Sequence, residues 1–170
     1  MIILGIDPGT ASTGYGIVKT LSGKKTFNIS NKSEKTRDFQ CLDYGVIQTD
    51  SNSNSGERLK KINNELSRIV KKYKPEVLAF ESLYFFKNLK TAIRVSQAGG
   101  VILLMAARKK LLVREFTPLQ VKLAITGNGW ADKKEVQKKV KKIFNLKEAI
   151  KSDDAADALA IALTYLVKIA

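Results

Sequence analysis

The amino-acid sequence predicts an α/β fold: a mixed sheet with helices on both faces. Three observations carry this reading. Three strand-like segments come first, separated by turn and loop residues. Helical and strand-like segments then alternate along the rest of the chain. The first segment, MIILGID at residues 1–7, is apolar without alternation, as in a central strand covered on both faces.

The elements follow in order. Pro8-Gly9 ends the first strand in a turn. Residues 14–20 (GYGIVKT) read as a second strand and 40–49 (QCLDYGVIQT) as a third. Between them, residues 21–39 are rich in Lys, Ser and Asn and read as a long hairpin connection with extended arms. Residues 50–55 (DSNSNS) form a polar loop. Over 56–74, Leu59, Ile62, Leu66, Ile69 and Val70 fall on one helical stripe, and Pro75 ends the helix. Residues 76–81 (EVLAFE) are a fourth strand. A long helix spans 88–110 with Gly99-Gly100 inside it. Each Gly costs about 1 kcal/mol there relative to Ala, which predicts a tight packing contact. Residues 111–116 (LLVREF) are a fifth strand. Thr117-Pro118 opens a helix with a capping residue and Pro at its first position. After a loop at 127–130, Asp132 caps a basic helix to residue 144, and a last helix runs over 153–169. Neither an internal repeat nor a second domain is visible, so residues 1–170 read as one domain.

Composition narrows the chemistry. The chain has 170 residues, with 30 Lys+Arg against 16 Asp+Glu, a net charge of +14. Such a charge favours a polyanion, either nucleic acid or an acidic membrane surface. It also predicts binding that weakens steeply with salt. The charge is uneven: residues 56–74 hold seven basic residues against two acids, and 133–151 hold eight Lys against two Glu. With 0 His, imidazole catalysis, His-type zinc sites and Ser-His-Asp triads are excluded. The 1 Cys, Cys41, excludes an internal disulfide and suits the reducing cytoplasm. No apolar run is long enough for a spanning helix, and the N-terminus lacks the marks of a signal peptide.

With so few acids, their positions are informative. Asp7 ends a wholly apolar strand, and Glu81 ends EVLAFE in the same manner. Strand ends in open α/β sheets are where chemistry is usually placed. Each alone reads equally well as a solvated strand-end carboxylate. Asp154 and Asp157 are spaced i, i+3 at the start of the last helix, on one face. Dipole compensation explains such residues at a helix N-terminus, and Asp153 reads as the cap. Asp157, however, lies amid Ala and Leu in DDAADALAIAL, and a buried acid needs a partner. Converging, the four carboxylates suit Mg²⁺, a hard cation that takes oxygen ligands. Two such ions about 4 Å apart can hold a phosphate, one activating a water and the other stabilising the leaving oxygen.

At this point GIDPGTASTGYGIV (5–18), FES (80–82), the stretch from Lys87 to Gly100 with KN and QAGG, and DDAADALAIA (153–162) resemble the RuvC family of Holliday-junction resolvases. The match runs in order over nearly the whole chain. The resemblance implies a ribonuclease-H-like fold, a homodimer, and paired Mg²⁺-dependent nicking of four-way junction DNA, with two Mg²⁺ per subunit. It implies RuvA and RuvB, the branch-migration proteins, as partners. Carried over by position, the catalytic and metal-binding acids are Asp7, Glu81, Asp154 and Asp157. The basic residues near the active site are Lys122 and Lys133, and the aromatic wedge is Tyr84. Ser82 and Tyr84 stand where the family usually has Gln and often has Phe.

Other residues were weighed alongside. Tyr84-Phe85-Phe86 offers aromatics for stacking on unpaired bases, although Phe85 or Phe86 equally fills a core or dimer pocket. Lys87, Lys134 and Lys138 are candidate DNA contacts; a lysine run of this kind also serves as a plain solvated face. The Gly-Thr turn after Asp7 also resembles the phosphate loop of actin-like and sugar-kinase ATPases, but the chain leaves little room for their second lobe. Trp130 and Cys41 carry no readable function. A related nuclease acting on RNA or simple DNA ends remains an alternative. So does a basic junction-binding protein with structural acids.

Overall fold

The computed structural model describes residues 1–21, 39–82, 89–146, 148 and 150–168. Tyr84, Lys87 and most of the predicted connection at residues 21–39 lie outside these residues. Ten elements follow in the predicted order: β1 (Ile2–Asp7), β2 (Ser12–Thr20), β3 (Phe39–Gln48), α1 (Ser55–Tyr73), β4 (Val77–Glu81), α2 (Leu89–Arg108), β5 (Leu112–Phe116), α3 (Pro118–Thr126), α4 (Lys133–Ile143) and α5 (Asp153–Lys168).

The sheet has five strands in the order β3-β2-β1-β4-β5. β1, β2 and β3 are antiparallel to their neighbours, while β1, β4 and β5 are parallel. Parallel strands need crossovers, and α1 and α2 supply them. β2 begins at Ser12, before the predicted Gly14. The reason is β3: Ser12 and Thr13 pair with Gln48 and Ile47 beyond the last β1 pair, Asp7 with Gly14.

Alternation along the strands feeds two cores. Leu4, Ile6, Ile17, Leu78 and Phe80 pack against Ile62, Leu66 and Val70 of α1 and Ile102 and Met105 of α2. Ile3, Val18, Val77 and Ala79 pack on the other face, with α5 and the apolar stripes of α3 and α4. α5 is buried from Ala155 to Leu166 except at Asp157. Its Ala-rich sequence lets it lie directly on the sheet. A Cβ at Gly5 would stand 2.1 Å from the Ala158 carbonyl oxygen, and one at Gly14 would stand 2.0 Å from the Asp154 carbonyl oxygen.

Helix ends are set by capping boxes, which typically contribute about 1 kcal/mol each. Asn54 with Glu57 starts α1, Thr117 with Gln120 starts α3, and Asp132 with Glu135 starts α4. Asp153 corrects the sequence reading. It is the first helical residue of α5 rather than its cap, and Ser152 supplies the carbonyl that accepts the Ala156 N–H at 3.1 Å. Gly100 also differs from expectation: it is exposed, and a Cβ there would meet nothing within 4 Å. Among the described residues no tight contact accounts for it, whereas Gly99 beside it is buried.

Candidate active site

Three elements bring the four acids to one edge. Asp7 and Glu81 end the adjacent parallel strands β1 and β4, where Ile6 pairs with Phe80. Asp154 and Asp157 lie in the first turns of α5. Gly14, the register partner of Asp7, touches the Asp154 backbone, so the start of α5 is pressed against the strand beside Asp7.

The charges are crowded and poorly hydrated. Burial pushes the Asp7 carboxyl up to about 8, helped by the charges of Glu81, Asp157 and Asp154 and opposed by Lys133. Burial raises Glu81 to about 7, helped by Asp157 and opposed by Lys133 and Lys122. Asp157 is also raised, chiefly by burial, despite a hydrogen bond from Lys133. Buried together, these carboxyls disfavour their charged forms even with lysine beside them.

Each acid of α5 has a partner. Ser12 Oγ donates to Asp154 Oδ2. Lys133 Nζ lies 3.0 Å from Asp157 Oδ2 and 3.3 Å from Asp153 Oδ2. Burial works against the Lys133 ammonium, but the hydrogen bonds and charges of Asp157 and Asp153 raise its pKa. Exposed Asp153 also accepts from Gln137 Nε2 at 2.8 Å, and these contacts hold its pKa down. Among the described residues no three carboxylates are grouped closely enough to share a metal ion. Asp154 is turned to Ser12 and Asp157 to Lys133.

A cavity of about 260 Å³ opens on this edge, lined by Glu81, Asp157, Lys122 and Lys133 over an apolar floor that includes Val121, Val136 and Ile161. Lys122 on α3 and Lys133 on α4 thus flank two of the carboxylates, while Asp7 and Asp154 lie outside the lining. Lys134 and Lys138 stand exposed on α4 and do not line the cavity. Sequence reasoning missed Ser12, read as part of a turn. It also missed Gln137, four residues after Lys133 on the same helical face.

The strand order, the buried α5 and the acids at the ends of β1 and β4 define a ribonuclease-H-like protein. Comparison narrows the class. The family model described as crossover junction endodeoxyribonuclease RuvC matches residues 3–165. A relative of that name from Thermosipho melanesiensis is 48% identical over 168 residues, covering 99% of this chain and 98% of the relative. The Thermus thermophilus RuvC structure has a TM-score of 0.82 at 34% identity, covering 96% of this chain and 92% of that one. The same protein in complex with Holliday junction substrate has a TM-score of 0.83 at 33% identity, with the same coverage. The chain belongs to the RuvC family of crossover junction endodeoxyribonucleases.

Proposed function

We propose that this chain is a Mg²⁺-dependent homodimeric endonuclease that resolves four-way DNA junctions by paired nicks, in recombination and repair. The observation that carries the reading is that Glu81 and Asp157 line one cavity with Lys122 and Lys133, with Asp7 feeling the charges of Glu81, Asp157 and Asp154, on a chain of net charge +14. It is supported by family membership and by the Thermus relative seen with Holliday junction substrate.

The donor set fits a hard divalent cation. It offers carboxylate oxygens, and burial, helped by repulsion from the neighbouring acids, raises Asp7 and Glu81. Asp7, Glu81, Asp154 and Asp157 would hold two Mg²⁺ once Asp157 leaves Lys133, with Asp154 keeping its Ser12 hydrogen bond on one oxygen and offering the other. When bound, the cations supply water activation and neutralise charge on the phosphate. Lys133, released from Asp157, turns its ammonium to the phosphate, and Lys122 holds the phosphate from the other side of the cavity. Water attacks phosphorus in line and the P–O3′ bond breaks, leaving a 5′-phosphate and a 3′-hydroxyl. Lys134 and Lys138 contact neighbouring phosphates, which fixes register without reading sequence. Tyr84 and Lys87 are assigned to the opened junction.

A dimer matches a two-fold substrate with two cuts. Ile93, Gly100 and Leu104 are exposed along one stripe of α2, with Ile93 60% and Leu104 52% exposed. This stripe is the proposed partner surface, and it accounts for Gly100. Residues 1–170 act as one nuclease domain, placed in the cytoplasm with RuvA and RuvB as partners. Among the described residues no helix is long and apolar enough to cross a membrane.

The test is cleavage of a mobile four-way junction with Mg²⁺, with both nicks mapped. Symmetric nicks ending in 5′-phosphate, absent with chelator, are expected. Equal cutting of plain duplex or RNA would favour another ribonuclease-H-like nuclease. Tight binding without cutting would favour a binding module.

Ser12 gives a sharper expectation. It orients Asp154, and outer partners of metal ligands typically affect metal affinity by 10- to 100-fold. Ser12→Ala is expected to weaken cation binding by about that factor, read by calorimetric titration with Mn²⁺. Ser12→Thr, which keeps the hydroxyl, should recover most of it. Unchanged affinity in Ser12→Ala would reduce the hydrogen bond to a packing detail.

A further inference from the structure

Trp130, the chain's 1 Trp, is 86% exposed. An indole offers a large flat apolar surface, and leaving it in water forgoes the stabilisation that burial gives.

The loop that presents it is tightly held. Gly127 closes α3 in the left-handed conformation at φ 80°. Thr126 Oγ1 donates to the Lys122 carbonyl at 2.8 Å and accepts the Asn128 N–H at 3.1 Å. Asn128 Oδ1 accepts the Trp130 N–H at 3.0 Å, and its carbonyl accepts the Ala131 N–H at 3.2 Å. Ala131 is buried at 1%, and Asp132 then caps α4. The backbone on both sides of Trp130 is therefore tied down while the indole projects outward.

Its position fits one occupant. Trp130 lies on the connection between Lys122 of α3 and Lys133 of α4, the two cations that line the cavity. Two residues separate it from Lys133, so their Cα atoms are at most about 11 Å apart. Lys134 adds a further exposed cation, and the acids nearby in sequence, Asp132 and Glu135, are engaged with each other's backbone in the α4 capping box. Leu119 and Leu123, each 49% exposed on α3, widen the apolar surface beside the loop. A flat aromatic between lysines matches a nucleic acid strand, with its stacked faces and charged backbone. It matches a protein surface less well, because the lysines would need separate acidic partners.

We propose that Trp130 stacks on a deoxynucleotide of the cleaved strand near the scissile phosphate. The inference rests on the junction-cleavage reading and adds a second aromatic contact to the one assigned to Tyr84. It assigns to the contact a base or sugar face rather than a phosphate. Stacking of this kind is sequence-tolerant.

Because Trp130 is the only indole, its emission reports on this site alone. The full-length protein is titrated with a four-way junction in chelator, so that nothing is cut. Binding is followed twice, by anisotropy of labelled junction and by Trp emission with unlabelled junction. The expected result is quenching, and protection from acrylamide, that saturates with the anisotropy. Trp130→Ala should weaken junction binding by about 5- to 150-fold, the range for losing one base–aromatic stack, and Trp130→Phe should recover most of it. The exposed position makes misfolding of either variant an unlikely explanation, and circular dichroism checks it. Junction binding with unchanged emission and unchanged Trp130→Ala affinity overturns the proposal and leaves the cleavage reading intact. Loss of self-association in Trp130→Ala, with DNA affinity kept, also overturns it and assigns the surface to a second copy. If anisotropy shows no junction binding, the cleavage reading fails and this proposal falls with it.

Discussion

Asp7→Asn is expected to lower junction cleavage by at least about 10²- to 10³-fold while leaving junction binding nearly unchanged. That is the range for losing one preorganised electrostatic group in an active site. The loss should be large because Asp7 sits among the other acids. It ends the central strand β1, lies beside Glu81, and feels the charges of both Asp154 and Asp157. Asn keeps the shape and can still fill the strand end, but it offers a neutral amide in place of an anionic ligand. Binding should survive because the proposed DNA contacts are the lysines of α3 and α4, Trp130 in the loop before α4, Tyr84 and Lys87, all of which the substitution leaves alone. Asp153→Asn is the control. Asp153 is exposed and, among the described residues, pairs with Gln137 and Lys133 alone, so its removal should cost far less. Single-turnover cleavage and anisotropy on the same junction separate the two effects. Full cutting by Asp7→Asn would refute the carboxylate site. Parallel loss of cutting and binding would mean the substitution disturbs the fold.

Much of this architecture could be read from residue patterns, and the reason differs by element. β1 declared itself through an unbroken apolar run, because both its faces are covered by helices. α3 and α4 declared their starts through Thr117-Pro118 and Asp132, because capping chemistry is local. The start of β2 was misplaced because its first pairs are made with β3, far away in sequence. Asp153 was misread as a cap for a related reason. Its partners, Gln137 and Lys133, come from the preceding helix, and nothing within α5 announces them. The four acids could be picked out by their odd placement at strand ends and in an Ala-rich helix. Their coupling could not be read from spacing. It depends on Gly14 letting α5 press against β2, and on burial that raises the Asp7 and Glu81 carboxyls. Ser12 shows the limit best: a serine in a turn-like segment gives no sign that it will meet an aspartate 142 residues later.

That coupling gives the second large effect, on stability. Asp7 stands at about 8 in the folded protein against an ordinary value of 3.8, and Glu81 at about 7 against 4.5. Between those limits the folded chain binds more protons than the unfolded chain. Stability without metal must therefore fall as pH rises from about 4 to about 8, and level off above. Each pH unit across which one such group is held protonated corresponds to about 1.4 kcal/mol, so the total reaches several kcal/mol. Asp157, raised in the same direction, adds to the slope. For a chain of this length 1 kcal/mol moves Tm by about 2–4 °C, so a drop on the order of 10 °C is expected between about pH 5 and about pH 9 in chelator. Saturating Mg²⁺ should reverse most of it, because a ligand held only by the folded state stabilises that state, by about 2.7 kcal/mol at a hundredfold excess over Kd. The cation should help more at about pH 9 than at about pH 5, where protons already neutralise the acids. Asp7→Asn removes the most strongly raised carboxyl. It should flatten the chelator profile and melt above the unsubstituted chain at high pH, even though it cannot cut. Thermal melts of both chains across pH, with chelator and with Mg²⁺, decide the matter. A flat profile for the unsubstituted chain would mean the four carboxylates are already compensated by Lys133 and Lys122. The site would then have no need of a cation, and the metal-dependent reading would lose its physical basis.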